Sequence, residues 1–107
     1  ADAFLAALKA NPYSPPTERQ PEPELLAFLE EEGRIVRVGD GIAFAREAYD
    51  EMTARIVEHL RAFDTITLGQ VRDMFATSRK YAQAFLEHLD EQRITRRVGD
   101  ERVLRKG

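Results

Sequence analysis

The spacing of apolar residues along the chain predicts five amphipathic helices separated by short irregular segments. Apolar side chains that recur every three or four residues mark one face of a helix. The five predicted helices cover residues 2–10, 22–32, 46–62, about 68–75 and about 78–92. The segment NPYSPPTERQPEPE, between the first two helices, is rich in proline and is therefore predicted to be mostly loop.

Two other segments have the sequence pattern of β-hairpins. RIVRVGDGIAFAR follows the second helix, which Gly33 is expected to end, and RITRRVGDERVLR closes the chain. Each consists of a β-rich run, a turn built on glycine and aspartate, and a second β-rich run, which is typical of a hairpin. Ile66 adds a β-like position before the fourth helix, and Thr67 can cap that helix.

The motif RVGD occurs twice, at residues 37–40 and 97–100, and the similarity extends to the preceding helices. At the same offset of 60 residues, Leu25-Leu26-Leu29 corresponds to Phe85-Leu86-Leu89. Both copies read as an apolar helix, a strand, a Gly-Asp turn and a strand, so RVGD is predicted to form the tip region of two wings.

The order of helix, short strand, helix, turn, helix and hairpin is that of a winged helix-turn-helix unit. The sequence therefore predicts an α+β fold, mostly helical, with two such units in tandem. The first unit, residues 1–45, lacks its opening helix, and the second, residues 46–107, has every element.

Composition excludes several classes of protein and site. The chain is 43% hydrophobic and 33% charged, and it has no apolar run of membrane-spanning length and no signal-peptide pattern. The absence of cysteine excludes disulfides, thiolate metal sites and cysteine nucleophiles. A cytoplasmic location is expected.

No catalytic, cofactor-binding or metal-binding constellation is recognisable. His59 and His88 are the only histidines, both lie on predicted helices, and no carboxylate pattern accompanies them as a metal site would require. A GxxxxGK[ST] phosphate loop is also missing. We therefore expect a binding module that needs no cofactor.

Charge is distributed unevenly along the chain, although the net charge is only -3. Residues 1–46 carry five Lys and Arg against eight Asp and Glu, whereas residues 77–107 carry eight against five. A polyanionic partner is therefore expected to meet the C-terminal end.

The stretch TSRKYA places two cations where a helix disfavours them. Arg79 and Lys80 lie in the first turn of the fifth helix, where the helix dipole makes each exposed cation unfavourable by about 0.3–1 kcal/mol. Thr77 and Ser78 offer hydroxyl and N–H groups to a phosphate, and Tyr81 can stack on an unpaired base. A capped surface helix with two solvated cations fits this stretch equally well.

The second hairpin favours the nucleic-acid interpretation. The helix of the first unit is acidic and has no counterpart of Arg79 and Lys80, so we expect the first unit to be a spacer and the second to be the binder. The run ITRRV does not alternate cleanly, which leaves open whether Arg96 or Arg97 faces outward. The arginines of the second hairpin are Arg93, Arg96, Arg97, Arg102 and Arg105.

Two long segments resemble the selenocysteine-specific elongation factor (SelB) family of bacteria. TSRKYAQAFLEHLDEQRITRRVGDERVL is similar to the last winged helix of that family, and ELLAFLEEEGRIVRVGDGIAFAREAYDEM to the one before it. The departures are Ala84, Phe85 and His88, where the family tends to have Pro, Leu and Tyr, and Arg93, where Gly is usual.

The resemblance implies an RNA-binding function. In that family the C-terminal winged helices hold the selenocysteine insertion element, a hairpin in the mRNA, while GTPase domains that this chain does not contain deliver the tRNA. It further implies a monomer without enzymatic activity, with the mRNA hairpin and, as a second candidate, the ribosome as partners. The RNA contacts implied are Ser78, Arg79, Lys80, Tyr81, Arg96, Arg97 and Arg102, with Arg72 and Arg105 as weaker candidates.

Two alternatives remain open from the sequence: a DNA-binding winged helix of a transcriptional regulator, and a winged helix that binds protein. The first is disfavoured because Glu87 and Asp90 lie further along the fifth helix and would meet phosphates in a major groove. The acidic first unit is the only feature that hints at the second.

Overall fold

The fold is described from a computed structural model, in which residues 2–18 and 20–105 are placed well enough to describe. It contains five helices, a two-stranded sheet β1-β2 and a three-stranded sheet in the order β3-β5-β4, all antiparallel. In chain order the elements are α1 (Asp2–Ala10), α2 (Pro23–Glu31), β1 (Ile35–Arg37), β2 (Ala43–Ala45), α3 (Arg46–Phe63), β3 (Ile66–Thr67), α4 (Leu68–Met74), α5 (Arg79–Glu91), β4 (Thr95–Val98) and β5 (Glu101–Leu104).

The predicted α+β class and both winged helix-turn-helix units are confirmed. Elements α3 to β5 form a complete unit, in which β3 pairs with β5 and thereby attaches the hairpin to the helices. Elements α1, α2, β1 and β2 correspond to the last two helices and the wing of the same unit. All five helices lie where the apolar spacing predicted them, and both hairpins lie where the β-rich runs and Gly-Asp turns predicted them.

Local chemistry explains where the helices begin. Pro23 occupies the first turn of α2, where its missing N–H removes no hydrogen bond. Thr67 caps α4 as predicted, because its hydroxyl accepts from Gln70 N at 3.1 Å and Gln70 Oε1 accepts from Thr67 N at 2.8 Å. This reciprocal pair is a capping box.

The internal repeat is preserved in the hydrogen bonds that end α2 and α5. Gly33 and Arg93, 60 residues apart, both have left-handed backbone conformation, with φ of 74° and 61°. Each begins the same pair of backbone bonds that closes a helix C-terminus. These bonds are Gly33 N to Glu30 O and Arg34 N to Leu29 O in the first copy, and Arg93 N to Asp90 O and Ile94 N to Leu89 O in the second.

The hydrophobic core runs across the boundary between the two units. Ile42 and Phe44 of the first hairpin are fully buried in the same cluster as Met52 and Phe85 of the second unit. The rings of Phe44 and Phe85 pack edge to face with centroids 5.3 Å apart. Residues 1–45 and 46–107 therefore do not have separate cores. Their division into a spacer and a binding unit remains a prediction.

A smaller cluster lies under α1 and α2. Leu8 and Leu29 are its most deeply buried members together with Ile35, and Ala48 of α3 packs with them. Helix α3 thus contributes to both clusters and ties the first unit to the second. Within the described residues, no helix combines the length and the apolar content needed to cross a membrane.

The connection between α1 and α2 is a long loop that we name the proline loop (residues 11–18 and 20–22). Its backbone turns at residues 11–14, and the rest of its described residues have no regular secondary structure, as its prolines predict. Pro15 is buried, although it lies in a connecting segment. The loop therefore rests on a neighbouring part of the fold.

Candidate nucleic-acid interface

The start of α5 presents polar groups that the chain itself leaves unused. Ser78 is the N-cap, and its side chain makes no capping hydrogen bond within the described part of the chain. The first intrahelical bond is Ala82 N to Ser78 O at 3.1 Å, so the preceding N–H groups have no partner in the helix. Ser78, Arg79 and Lys80 are all exposed, and together they form a cationic end with donors available to an anion.

Two residues beside this end, Thr77 and Tyr81, use their hydroxyl groups within the protein. The Thr77 hydroxyl donates to Tyr13 O at 2.9 Å and lies 2.6 Å from Ser14 Oγ. The Tyr81 hydroxyl donates to Pro15 O at 2.8 Å, and its half-buried ring packs against the core. The Tyr81 hydroxyl is therefore held by the proline loop, while the ring stays partly exposed, and its stacking on an unpaired base remains a prediction.

Arg96 and Arg97 of the second hairpin are both exposed to solvent. Successive strand residues point to opposite faces of a sheet, and both positions of β4 lie at the exposed edge. Arg97 Nε donates to Gly99 O at 2.9 Å and so lies toward the wing tip. Arg96 pairs with Val103 across the ladder and lies nearer the base.

Arg102 is buried, which counts against the RNA contact predicted for it. Only 4% of the residue is exposed. Its Nη2 and Nε atoms donate to Asp90 Oδ2 at 3.0 and 3.2 Å, and Thr95 Oγ1 donates to Asp90 Oδ1 at 2.6 Å. The pairing of residue 102 with Ile66 turns its side chain toward the helices. Its guanidinium therefore fastens the wing to α5.

The ion pair between Arg102 and Asp90 reduces the negative charge that α5 exposes to a nucleic acid. Asp90 is neutralised by Arg102 and no longer counts as an exposed charge that would repel phosphate. Glu87 remains exposed, with one oxygen 3.3 Å from Gln83 Nε2. Of these two acidic residues, only Glu87 would therefore repel the phosphates if α5 were inserted deep into a major groove.

Arg96 and Arg105 meet a third arginine that sequence reasoning missed. With Arg61, from the end of α3, they line an open groove of about 680 Å³ at the base of the second hairpin, which we name the base groove. Asp64 is its single acidic lining residue. Within the described residues, none of the three guanidinium groups has a carboxylate within 4.0 Å. Arg61 could not be singled out because an arginine in the last turn of a helix is ordinary in itself.

Arg72 lies beside the turn that leads into α5. Its side chain is about half exposed and its Nε is 3.4 Å from Asp73 Oδ1. Its carbonyl oxygen accepts from Thr77 N at 3.0 Å. The predicted arginines thus fall into three places: Arg79 and Arg72 near the helix start, Arg97 on the wing, and Arg96 with Arg105 in the base groove.

Within residues 2–18 and 20–45, the first unit has no equivalent cationic helix start. Arg37 donates to Glu30 Oε1 from Nε and Nη2, at 3.1 and 2.9 Å, and this hydrogen bonding lowers the pKa of Glu30. Arg46 likewise lies 3.4 Å from Asp50. Of the three arginines of the first hairpin, Arg37 and Arg46 are therefore paired with carboxylates.

The two histidines have packing roles. His88 Nε2 is 3.1 Å from the Tyr49 hydroxyl, and burial lowers the pKa of His88. His59 packs beside Phe63 with ring centroids 4.8 Å apart. Across residues 2–18 and 20–105, no three histidine or carboxylate side chains come together in a way that would hold a metal ion.

Comparisons with known proteins agree with this arrangement. A family described as "Elongation factor SelB, winged helix" matches residues 58–104. The selenocysteine-specific elongation factor of Desulfomicrobium baculatum is 32% identical over 83 residues, which is 78% of this chain and 13% of that protein. The mRNA-binding domain of elongation factor SelB from E. coli, solved in complex with SECIS RNA, has a TM-score of 0.69 at 23% identity, over 76% of this chain and 67% of that one. The family model and the sequence relative thus support a C-terminal winged-helix region of the SelB type, and the solved structure supports the fold.

Proposed function

We propose that this chain anchors a selenocysteine-specific elongation factor to its message by binding a SECIS hairpin through the second winged helix. The observation that carries the proposal is the exposed, uncapped start of α5 with Arg79 and Lys80. The E. coli relative, which has the same fold, is an mRNA-binding domain in complex with SECIS RNA. The role is one of binding, without catalysis, in the cytoplasm where translation takes place.

The helix start suits a phosphate group of the RNA backbone. Its unused N–H groups donate to phosphate oxygens, and the two cations supply charge-assisted hydrogen bonds, which are about twice as strong as neutral ones. Without an anion, Arg79 and Lys80 oppose the helix dipole. A bound phosphate removes that unfavourable term and replaces it with attraction.

The wing and the base groove extend the same chemistry. Arg97 is exposed toward the wing tip, and Arg61, Arg96 and Arg105 line the base groove without a carboxylate partner among the described residues. Arginine is suited to phosphate because its planar fork can donate two parallel hydrogen bonds. We infer that these arginines contact the backbone and that bases are recognised at the helix start.

The part of the RNA that is recognised follows from its geometry. An A-form stem has a deep, narrow major groove that side chains cannot read, so sequence is accessible in loops and bulges. The Tyr81 hydroxyl is bonded to Pro15 O, but its ring is partly exposed, so we infer that bases are recognised at the helix start by hydrogen bonds from residues such as Ser78 and Arg79 together with stacking on Tyr81. A small number of splayed loop bases fits a site of this size.

The first prediction is that binding depends on loop sequence and on salt. The whole chain is titrated by fluorescence anisotropy against a labelled SECIS hairpin, a variant with one or two loop bases changed, and a variant with stem pairs swapped. About four to six phosphate contacts should give a log–log salt slope of roughly -3 to -5. We expect the loop variant to lose most affinity and the stem variant to lose little.

A duplex DNA of matching length is the control. Preference for the duplex would favour a DNA-binding regulator, and equal binding to all four probes would leave only a non-specific polyanion binder. Absence of binding to every probe would favour the protein-interaction alternative. A flat salt response would contradict the phosphate contacts themselves.

A further inference from the structure

The proline loop of the first unit is hydrogen-bonded to the segment that starts α5. Thr77 Oγ1 donates to Tyr13 O at 2.9 Å and lies 2.6 Å from Ser14 Oγ, and Tyr81 Oη donates to Pro15 O at 2.8 Å. Because Thr77 has one hydroxyl hydrogen and gives it to Tyr13 O, Ser14 is the donor in the second bond. These bonds join residues 13–15 to both sides of the cationic helix start.

Aromatic packing holds the same part of the loop on the second unit. The Tyr13 ring lies 5.1 Å from the Phe75 ring, and the Arg55 guanidinium lies 4.7 Å from the Phe75 centroid. The Tyr13 hydroxyl donates to Glu51 Oε1 at 2.6 Å, and this bond raises the pKa of Tyr13. The loop is thus attached to α3, to the end of α4 and to α5.

The turn between α4 and α5 contains a strained residue, and contacts from the proline loop can stabilise it. Ala76 has φ of 49°, a left-handed conformation that residues other than glycine rarely adopt. Its N–H bonds Asp73 O at 3.3 Å, and Thr77 N bonds Arg72 O at 3.0 Å. A strained conformation persists where surrounding contacts enforce it, and the bonds from the proline loop to Thr77 are such contacts.

We propose that Tyr13 and Ser14 are positioning residues for RNA binding. They hold the turn and the helix start in the geometry that presents Ser78, Arg79 and Lys80 to the RNA, although they make no contact with it. This inference rests on the proposed function. It also gives the first unit a role that a spacer would not have, because its loop sets the conformation of the binding end of the second unit.

The affinity should fall when the loop is detached, because the binding-competent conformation is then only partly populated. We expect Ser14→Ala to weaken binding of the labelled SECIS hairpin about three- to tenfold, as for loss of one part-buried hydrogen bond. Thr77→Val removes both bonds of the Thr77 hydroxyl and should weaken binding at least as much. The Ser14→Ala/Thr77→Val double variant should bind about as well as Thr77→Val alone, because Thr77→Val already removes the bond to Ser14.

The salt slope separates positioning from direct contact. A residue that touches a phosphate lowers the slope by about 0.7–0.9 when it is removed, so Lys80→Ala should do so. Ser14→Ala and Thr77→Val should leave the slope unchanged, because the number of phosphate contacts is the same. All titrations are made at a temperature where circular dichroism shows every variant folded.

Two variants serve as matched controls. Gln20→Ala removes the bond from Gln20 Nε2 to Gly41 O at 2.7 Å, which belongs to the same loop but stays within the first unit, and it should leave affinity unchanged. Thr77→Ser keeps the hydroxyl and should bind like the wild type.

Each remaining outcome counts against one specific statement. If the wild type binds the hairpin and Ser14→Ala binds it with the same affinity, the positioning role is wrong and the proposed function is unaffected. Additive losses with a reduced slope mean that Thr77 contacts phosphate directly, which also overturns it. A wild-type chain that does not bind the hairpin overturns the proposed function, and the inference with it.

Discussion

At the scale of single residues, the two copies solve the same backbone problem with different side chains. The residue after each C-cap must adopt a left-handed conformation so that the chain can turn from helix to strand, and the first copy uses Gly33 while the second uses Arg93. Glycine adopts positive φ without penalty, whereas other L-residues do so at a cost of about 1–2 kcal/mol. Arg93 therefore destabilises the second unit locally.

This difference predicts opposite effects of substitution at equivalent positions. Arg93→Gly should raise the free energy of unfolding by up to about 1 kcal/mol, and Gly33→Ala should lower it by about the same amount. A Cβ at Gly33 would meet no heavy atom within 4 Å, so the effect there comes from the backbone alone. Chemical denaturation of each variant gives both values.

Gly39 provides the control for this pair. A Cβ at this position also meets nothing within 4 Å, and its φ lies outside the left-handed range. Gly39→Ala should therefore leave stability nearly unchanged. A loss in Gly39→Ala as large as that in Gly33→Ala would mean that conformational strain is not the cause.

At the scale of elements, the wing and α5 are fastened together by the Asp90 carboxylate. It accepts hydrogen bonds from Thr95 at the start of β4 and from Arg102 in β5. Both donors are buried, with 0% and 4% exposed. One carboxylate thus fixes the hairpin relative to the helix that begins with Arg79 and Lys80.

We predict that Arg102→Ala impairs stability far more than it alters the salt dependence of RNA binding. Removing one partner of a buried ion pair typically lowers stability by about 3–5 kcal/mol, and partial exposure of Asp90 favours the lower end of that range. Arg97→Ala is the matched control, since Arg97 sits opposite Arg102 in the ladder but is exposed. It should leave the unfolding midpoint in place and reduce the salt slope. The reverse pattern would restore Arg102 as a phosphate contact.

The elements themselves were predictable from sequence because their signals are local. Apolar spacing locates α1 to α5, and the Gly-Asp turns locate both hairpins. The direction of Arg102 was not predictable, because it follows from pairing between β5 and β3 at Ile66, a distant position in sequence. The hydrogen bond of the Tyr81 hydroxyl was not predictable for the same reason, because its acceptor is Pro15 O in the first unit.

At the scale of the whole molecule, the two units share a core but differ in the charge they offer to a partner. Ile42 and Phe44 bury against α3 and α5, so the first unit supports the second through packing. Arg37 of its hairpin forms an ion pair with Glu30. The cations at the start of α5 have no carboxylate within 4.0 Å among the described residues.

The last prediction tests this asymmetry with two arginines. Arg79→Ala should weaken binding of the SECIS hairpin by about 1–3 kcal/mol, as expected for a lost charge-assisted contact. Arg37→Ala should change affinity little, because the wild-type guanidinium is already hydrogen-bonded to Glu30. Both affinities come from the same anisotropy titration, and both variants are checked for folding by circular dichroism. An equal loss in the two variants would mean that the first wing touches RNA as well as the start of α5. In that case the first unit would bind RNA directly, besides positioning the helix start through its proline loop.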